Sequence, residues 1–419
     1  MTVGVSVFVI GGGVVRISGQ PADFTDVRRL RDAYFGWAKE RGEEVLQPDT
    51  DFDAIRELIA TRFPRREPRQ HMETYLRGLL VGPRRKNGWT LAQYGGAVSP
   101  DGMQRLLRTA EWDVEGARDD VRDYVVGRLQ APDGVWFIDE TAFRKRGCRS
   151  VGVARQYMRS TGKMENCQVG VYLGYASSRG QALVDRELYL PRSWTDDLER
   201  RASAGIPARV AYASKPQFGL IMLNRAYAAG LLHGWVTADK TYGSRRPFRR
   251  WLADRRLPFV LATGNDDLLV NTSGQRHQAK GLATLALAGE VPVSDSWHCS
   301  SIAAGPYSGE LFDWAAIELA ADGLPDQWGH WLLIRQQTEP DVGTHHRKLA
   351  CYRCAGPAAT TTAELIRVAG TRWTSEVCFR IAKDECGLGQ YQVRGWRAWY
   401  AHSTLAMAAA GYVAVAGGG

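Results

Sequence analysis

Sulfur and imidazole are scarce in this chain. Its 419 residues hold seven cysteines and eight histidines. An odd number of thiols scattered over so long a sequence, with no secretory signal ahead of them, excludes a small disulfide scaffold and predicts reduced thiols in a cytoplasmic protein. Cys351-Tyr352-Arg353-Cys354 has no second pair at zinc-finger spacing, and His345-His346 has no ligand partner nearby, so no zinc is expected. Long apolar runs are also missing. Val3–Val15 and Leu405–Gly419 are both too short for a bilayer, which argues against a membrane partner. No Walker A sequence occurs, and Gly11-Gly12-Gly13 lacks the spaced third glycine of a dinucleotide site, so no nucleotide cofactor is expected. Acidic residues are outnumbered, 45 against 54 Lys and Arg, leaving a formal charge of +9. That balance suits a polyanionic partner as well as a mildly basic enzyme.

What is present is an ordinary globular composition, 44% apolar and 24% charged, in a chain long enough for two or three domains. Residues 1–25 carry no assignable pattern. Residues 26–130 are rich in charge with apolar positions at helical spacing, which predicts an all-helical N-terminal domain. Within it, the cluster Arg84-Arg85-Lys86-Asn87-Gly88-Trp89 leads into two short helical segments. These fit either a DNA-contacting helical pair or an ordinary bundle with a solvated basic loop.

After the turn signal Ala131-Pro132-Asp133-Gly134 the texture changes. Strands are predicted at 135–139, 168–175 and 186–190, helices at 197–204 and 216–229, a strand at 235–239, a basic helix at 245–255 and a strand at 258–262. Three strands, a helical stretch, then strand, helix, strand is the order of an α/β ribonuclease H-like mixed sheet with flanking helices. Residues 131–264 therefore form the first part of this core. Residues 265–357 read as a strand-rich insertion with runs at 290–293, 312–319, 331–336 and 348–352. Helices at 374–385 and 396–415, within 358–419, are expected to complete the core.

Two of the predicted strands end in aspartate, Asp139 and Asp239, and a late helix carries Glu376. Carboxylates at the carboxyl ends of sheet strands sit where open α/β sheets bind ligands. Three converging carboxylates repel unless divalent cations lie between them, and Mg²⁺ takes such hard oxygen donors together with substrate phosphates. Taken singly, each aspartate also suits a turn or helix cap. On a continuous helix of about 100° per residue, Arg372, Glu376 and Lys383 would share one face. Basic runs follow each aspartate, at 144–163 and 240–256, where they could neutralise phosphates or coat a solvated face. Tryptophans 297, 314, 328 and 331 suit core packing, with base stacking the rarer alternative.

These features together resemble the bacterial insertion-sequence transposases of the DDE superfamily whose ribonuclease H-like core is interrupted by β-strands. The blocks that carry the likeness are Phe137-Ile138-Asp139-Glu140-Thr141 with Lys145, Val153-Ala154-Arg155-Gln156-Tyr157, Leu188-Tyr189-Leu190-Pro191 and Trp235-Val236-Thr237-Ala238-Asp239 with Tyr242-Gly243. Arg372-Trp373 with Glu376 and Lys383, and Gln392-Val393-Arg394, complete them. The resemblance implies Asp139, Asp239 and Glu376 as catalytic, metal-holding residues, with Mg²⁺ as the ion and Mn²⁺ able to substitute. It implies DNA contacts from Lys145, Arg155, Gln156, Tyr242, Arg245, Arg246, Arg372, Lys383 and Arg394. The expected partner is double-stranded DNA, both the terminal inverted repeats of the element and the target, bound by a homodimer or larger assembly in the nucleoid. Strand cleavage at the repeats and strand transfer to target DNA would follow.

The chain departs from the pattern at Ala369, where a tyrosine is common, and at Lys240, where an acidic residue usually follows the second aspartate. Ser375 stands in place of an aliphatic residue, predicting a loosened helix, and Tyr307 in place of a basic residue. Ala369 and Lys240 carry the alternative, a repurposed DNA-binding copy with weak or no cleavage.

Overall fold

The computed structural model describes residues 5–10, 13–18, 50–159, 161–301, 311–321, 323–339 and 347–417. The expectations for residues 26–49, for Tyr307 and for His345-His346 lie outside the described residues, as does most of 1–25 apart from an antiparallel pair, β1 (Val5–Ile10) and β2 (Gly13–Ser18). The chain divides into two compact units, Met1–Leu129 with Ile381–Gly419, and Gln130–Arg380.

The first unit is helical over its described residues from Thr50. In helix Arg66–Val81 the apolar positions Met72, Tyr75, Leu76 and Leu79 recur at helical spacing and are buried. Helix Gly88–Tyr94 begins at a reciprocal cap: Asn87 Oδ1 accepts from the Trp89 and Thr90 amides, and the Asn87 amide donates to Thr90 Oγ1. With Asp101–Arg108 it forms the short helical pair anticipated from the sequence. Lys86 does not belong to a solvated basic cluster. It is buried, and its ammonium donates to the carbonyls of Leu79 and Glu385. The final helix, Trp396–Gly417, is apolar around its circumference and packs on Val114–Leu129 and Arg66–Val81. Residues 381–417 thus group with the N-terminal helices, whereas the sequence pattern suggests that 358–419 as a whole completes the core. Among the described residues no helix is long and apolar enough to cross a membrane.

The second unit is built on one mixed sheet. Its strands are β3 (Val135–Arg144), β4 (Ala154–Met158), β5 (Lys163–Ser177), β6 (Gly180–Tyr189), β7 (Trp235–Ala238), β8 (Phe259–Ala262), β11 (His298–Ser301), β12 (Leu311–Glu318), β13 (Trp328–Gln337) and β14 (Leu349–Pro357), with a separate small pair β9 (Leu268–Val270) and β10 (Arg276–Gln278). The spatial order is β11-β12-β13-β14-β8-β7-β3-β5-β4, with β6 also paired to β5. Strand β5 runs antiparallel to β3, β4 and β6, while β7 and β8 continue parallel from β3. This is the ribonuclease H-like arrangement. Strand β14 pairs antiparallel with β8, so the inserted strands extend the core sheet.

Helix Ala279–Leu287 covers one face of that extension, burying Leu282 and Ala283 against Ile317, Leu332 and Cys351. Helix Thr362–Thr371 and Trp373 cover the other, against Trp314, Trp331 and Cys354. Cys351 and Cys354 therefore face opposite sides of the sheet, as an odd spacing in a strand requires. Trp314 and Trp331 are core residues, whereas Trp297 is partly exposed.

Several local features differ from expectation, among them β3, which runs on to Arg144 where the sequence pattern ends the strand at Asp139. Residues 290–293 form no strand. The small-residue helix Ala279–Leu287 and the short polar strand β4 are not anticipated by the sequence pattern. The expected continuous helix at 374–385 ends at Arg380 and passes into a π-helical turn, Ile381–Glu385.

Candidate active site

Strand β3 is an apolar run, Val135 to Ile138, buried throughout, and Asp139 is the first acidic residue it presents. Ile138 lies opposite Ala238 in the parallel pairing of β3 with β7. The next residue in each segment is an aspartate, Asp139 within β3 and Asp239 just past the end of β7, so the two follow neighbouring strand positions about 4.8 Å apart. Both are nearly buried.

Each carboxylate is fixed by one backbone amide and one side chain. Asp139 Oδ1 accepts from the Glu140 amide at 2.8 Å and Oδ2 from Ser375 Oγ at 2.7 Å. Asp239 follows β7 directly and caps the short helix Lys240–Gly243, its Oδ1 accepting from the Thr241 amide at 2.8 Å. Its Oδ2 accepts from the Arg159 guanidinium at 2.6 Å. Burial pushes Asp239 upward, but the Arg159 hydrogen bond and charge, the Thr241 amide and the Arg372 charge outweigh it and hold the carboxyl below its ordinary range.

Glu376 lies in the first turn of helix Thr374–Arg380, one residue after Ser375. The Ser375–Asp139 bond therefore brings this helix against the middle of β3. Burial, together with the Asp139 charge, raises Glu376 above the usual carboxylate value despite the opposing charges of Arg372 and Arg159. The three carboxylates do not close around one point: among the described residues no group of three His, Cys, Asp or Glu side chains could hold a metal ion. Two buried carboxylates with hard oxygen donors, one of them already bound to a cation, do fit Mg²⁺, which is usually held by one or two carboxylates plus substrate phosphates.

The other anticipated residues separate into groups. Lys145 follows β3 and is half-buried, its amide donating to the Asn166 carbonyl, and burial pushes its ammonium down to about 8. Arg155 is exposed on β4, while Gln156 beside it spends its amide on the Cys167 carbonyl at 3.1 Å. Arg245 and Arg246 are exposed at the start of helix Arg246–Asp254. Arg372 stacks on its neighbour Trp373, with the guanidinium carbon 5.4 Å from the ring centre. Lys383 and Arg394 belong to the helical unit. Arg372 caps the preceding helix Thr362–Thr371, Glu376 lies in helix Thr374–Arg380 and Lys383 in the π-turn, so the expected single helical face does not form.

Tyr242 is a correction. It is fully buried, packed edge-on to Phe248, and its hydroxyl donates to Glu140 Oε2 at 3.3 Å, so it cannot touch DNA. The adjacent Gly243 is required because a Cβ there would collide with the Ala262 carbonyl. Lys240 is the exposed first residue of its helix, since the strand has already ended at Ala238. Ala369 is buried against the sheet extension.

Arg159, Ser375 and the pair Glu140–Lys215, joined at 2.6 Å, are not assigned by sequence reasoning. Their partners lie far away in the chain, and no local pattern announces them.

A family model described as a DDE superfamily endonuclease matches residues 59–281, more than half of the chain. The match spans Asp139 and Asp239 and stops before Glu376. The probable transposase for insertion sequence element IS701 of Microchaete diplosiphon is 28% identical over 188 residues, which cover 44% of this chain and 46% of that protein. The chain thus matches about half the length of this relative.

Proposed function

Since the chain belongs to the DDE superfamily of endonucleases, we propose that it is a transposase that cleaves DNA at the terminal inverted repeats of an insertion sequence and transfers the freed ends to target DNA. The observation that carries this reading is the parallel pairing that ends at Ile138 and Ala238, with Asp139 and Asp239 each the very next residue. Divalent metals are general in the family, and here the buried pair Asp139 and Asp239 would hold Mg²⁺ or Mn²⁺, with substrate phosphates completing the coordination. When bound, such ions stabilise the attacking and leaving oxygens of a phosphodiester displacement.

The residues of the chain supply the rest. The Glu140 and Thr241 amides and Ser375 Oγ orient the two aspartates so that little rearrangement is needed when charge develops. Lys145, Arg155, Arg245, Arg246 and Arg372 bind backbone phosphates in the carboxylate-bearing unit, and Lys383 and Arg394 in the helical unit. Bringing two element ends together calls for a dimer or larger assembly on DNA.

The test is a Mg²⁺- or Mn²⁺-dependent cleavage assay on duplexes carrying the DNA that flanks the reading frame. We expect scission at the repeats with a free 3′-hydroxyl. Asp239→Asn should cut at least about a hundredfold less while keeping its mobility shift. Undiminished cutting by that variant overturns the carboxylate assignment. A mobility shift without scission by the native chain supports a DNA-binding copy instead, and cutting of branched substrates regardless of end sequence supports a structure-selective nuclease.

A further inference from the structure

Asp239 has one oxygen committed to the Thr241 amide, and the other faces Arg159. An ion arriving at this carboxylate therefore meets the oxygen that the guanidinium already holds. The two partners are unequally placed. The Arg159 side chain is 62% exposed and that of Asp239 only 6%, so the arginine approaches from the solvent side while the aspartate is fixed in the sheet. Arg159 follows β4 directly, at the tip of the hairpin into β5, where Gly162 takes a left-handed conformation and its amide closes the turn on the Met158 carbonyl at 2.9 Å. The charges of Asp139 and Glu140 also favour the guanidinium there, and Arg159 in turn acts on Glu376. Arg372 also acts on Asp239 and Glu376, and Lys215 pairs with Glu140, but it is Arg159 that hydrogen-bonds an oxygen of Asp239 itself.

We propose that Arg159 is a resident counter-ion, seated on Asp239 in the metal-free protein and exchanged for the divalent ion when it enters, which frees the guanidinium to meet a DNA phosphate. This rests on the carboxylates being a cation site. A permanent structural bridge would be expected in the interior with both partners dry. An ion pair with one partner largely in water is worth only a few-fold in an equilibrium constant, which makes it an exchangeable lock.

The experiment measures Mn²⁺ binding to the full chain without DNA, by electron paramagnetic resonance of the free ion. Arg159→Gln should bind Mn²⁺ about three- to tenfold more tightly than the native chain, and Mn²⁺ should raise its melting temperature by more. Lys163→Gln removes the same charge from the same exposed hairpin without touching Asp239, and should change affinity less than about twofold. If Arg159→Gln does not fold, Arg159→Lys serves, since an ammonium cannot reproduce the guanidinium contact and should give a smaller gain of the same sign. Affinity no tighter than that of Lys163→Gln overturns the proposal. A different failure, no Mn²⁺ binding by any variant or binding unaffected by Asp239→Asn, removes the cation-site reading itself.

Discussion

Ser375 and Asp139, 236 positions apart in the chain, share a 2.7 Å hydrogen bond in which the serine hydroxyl donates to the carboxylate. Ser375 is 1% exposed, so water cannot replace it. The bond fixes where the Glu376 helix meets the sheet, in place of the apolar contact that an aliphatic residue would make.

Ser375→Ala should therefore act on both stability and chemistry. Removing a buried donor to a charged acceptor costs about 1–3 kcal/mol, readable as a lower melting temperature. Loss of an orienting partner should lower metal-dependent cleavage about tenfold and weaken Mn²⁺ binding. The direction is opposite to that expected for Arg159→Gln, because the serine orients the carboxylate without bringing a competing charge. Cleavage and Mn²⁺ affinity equal to the native chain would show that the bond is structural only.

The same pair marks where sequence reasoning succeeds and where it stops. Asp139 and Asp239 are legible because each follows a short, largely apolar run, Val135–Ile138 and Trp235–Ala238, and the parallel pairing of those two runs then brings the aspartates to the same level. Ser375 reads as a defect because its compensation is a partner in another element. Arg159 reads as one member of a basic run because its pairing with Asp239 spans 80 residues. Tyr242 reads as a DNA contact because nothing in the local sequence reveals that helix Lys240–Gly243 turns its ring into the core. The break at Arg380 is invisible for another reason: the apolar spacing of 374–385 suits an α-helix, and one residue's change in periodicity at the π-turn moves Lys383 off the face of Glu376. The identity of the sheet is legible from the order of its strands, whereas the grouping of 381–417 with the N-terminal helices depends on long-range packing of an Ala-rich helix.

Lys86 illustrates the cost of mistaking a buried cation for a surface one. Its ammonium donates to the Leu79 carbonyl and, at 2.5 Å, to that of Glu385, while its amide donates to Gln390 Oε1 at 2.6 Å. It thereby satisfies carbonyls near the end of helix Arg66–Val81 and ties that end to the π-turn. Lys86→Ala should destabilise the helical unit by about 1–3 kcal/mol through the carbonyls left bare. Arg85→Ala, at an exposed neighbour, should fall within about 0.5 kcal/mol of the native chain. Chemical denaturation of both variants checks this, and equal midpoints would return Lys86 to the solvated cluster.

A DNA contact by Lys145 would give binding a pH dependence of defined sign. Burial holds its ammonium at about 8, so the charge is present below that pH and is lost as pH rises through it. In the unfolded chain the same group stays charged to about 10.4. If Lys145 meets a phosphate in its charged form, duplex affinity at fixed salt should fall between pH 7 and pH 9. The guanidinium introduced by Lys145→Arg stays charged across this window, so that variant should bind with a flatter pH profile and match or exceed the native chain at pH 9. Lys145→Gln should be weaker at pH 7, with a salt dependence reduced by about one phosphate contact, and should approach the native chain at pH 9. Fluorescence anisotropy on one labelled duplex at both pH values makes the comparison. Parallel pH profiles for the native chain and Lys145→Arg would place Lys145 away from the DNA, leaving Arg155 and the exposed pair Arg245 and Arg246 to carry phosphate binding in that unit.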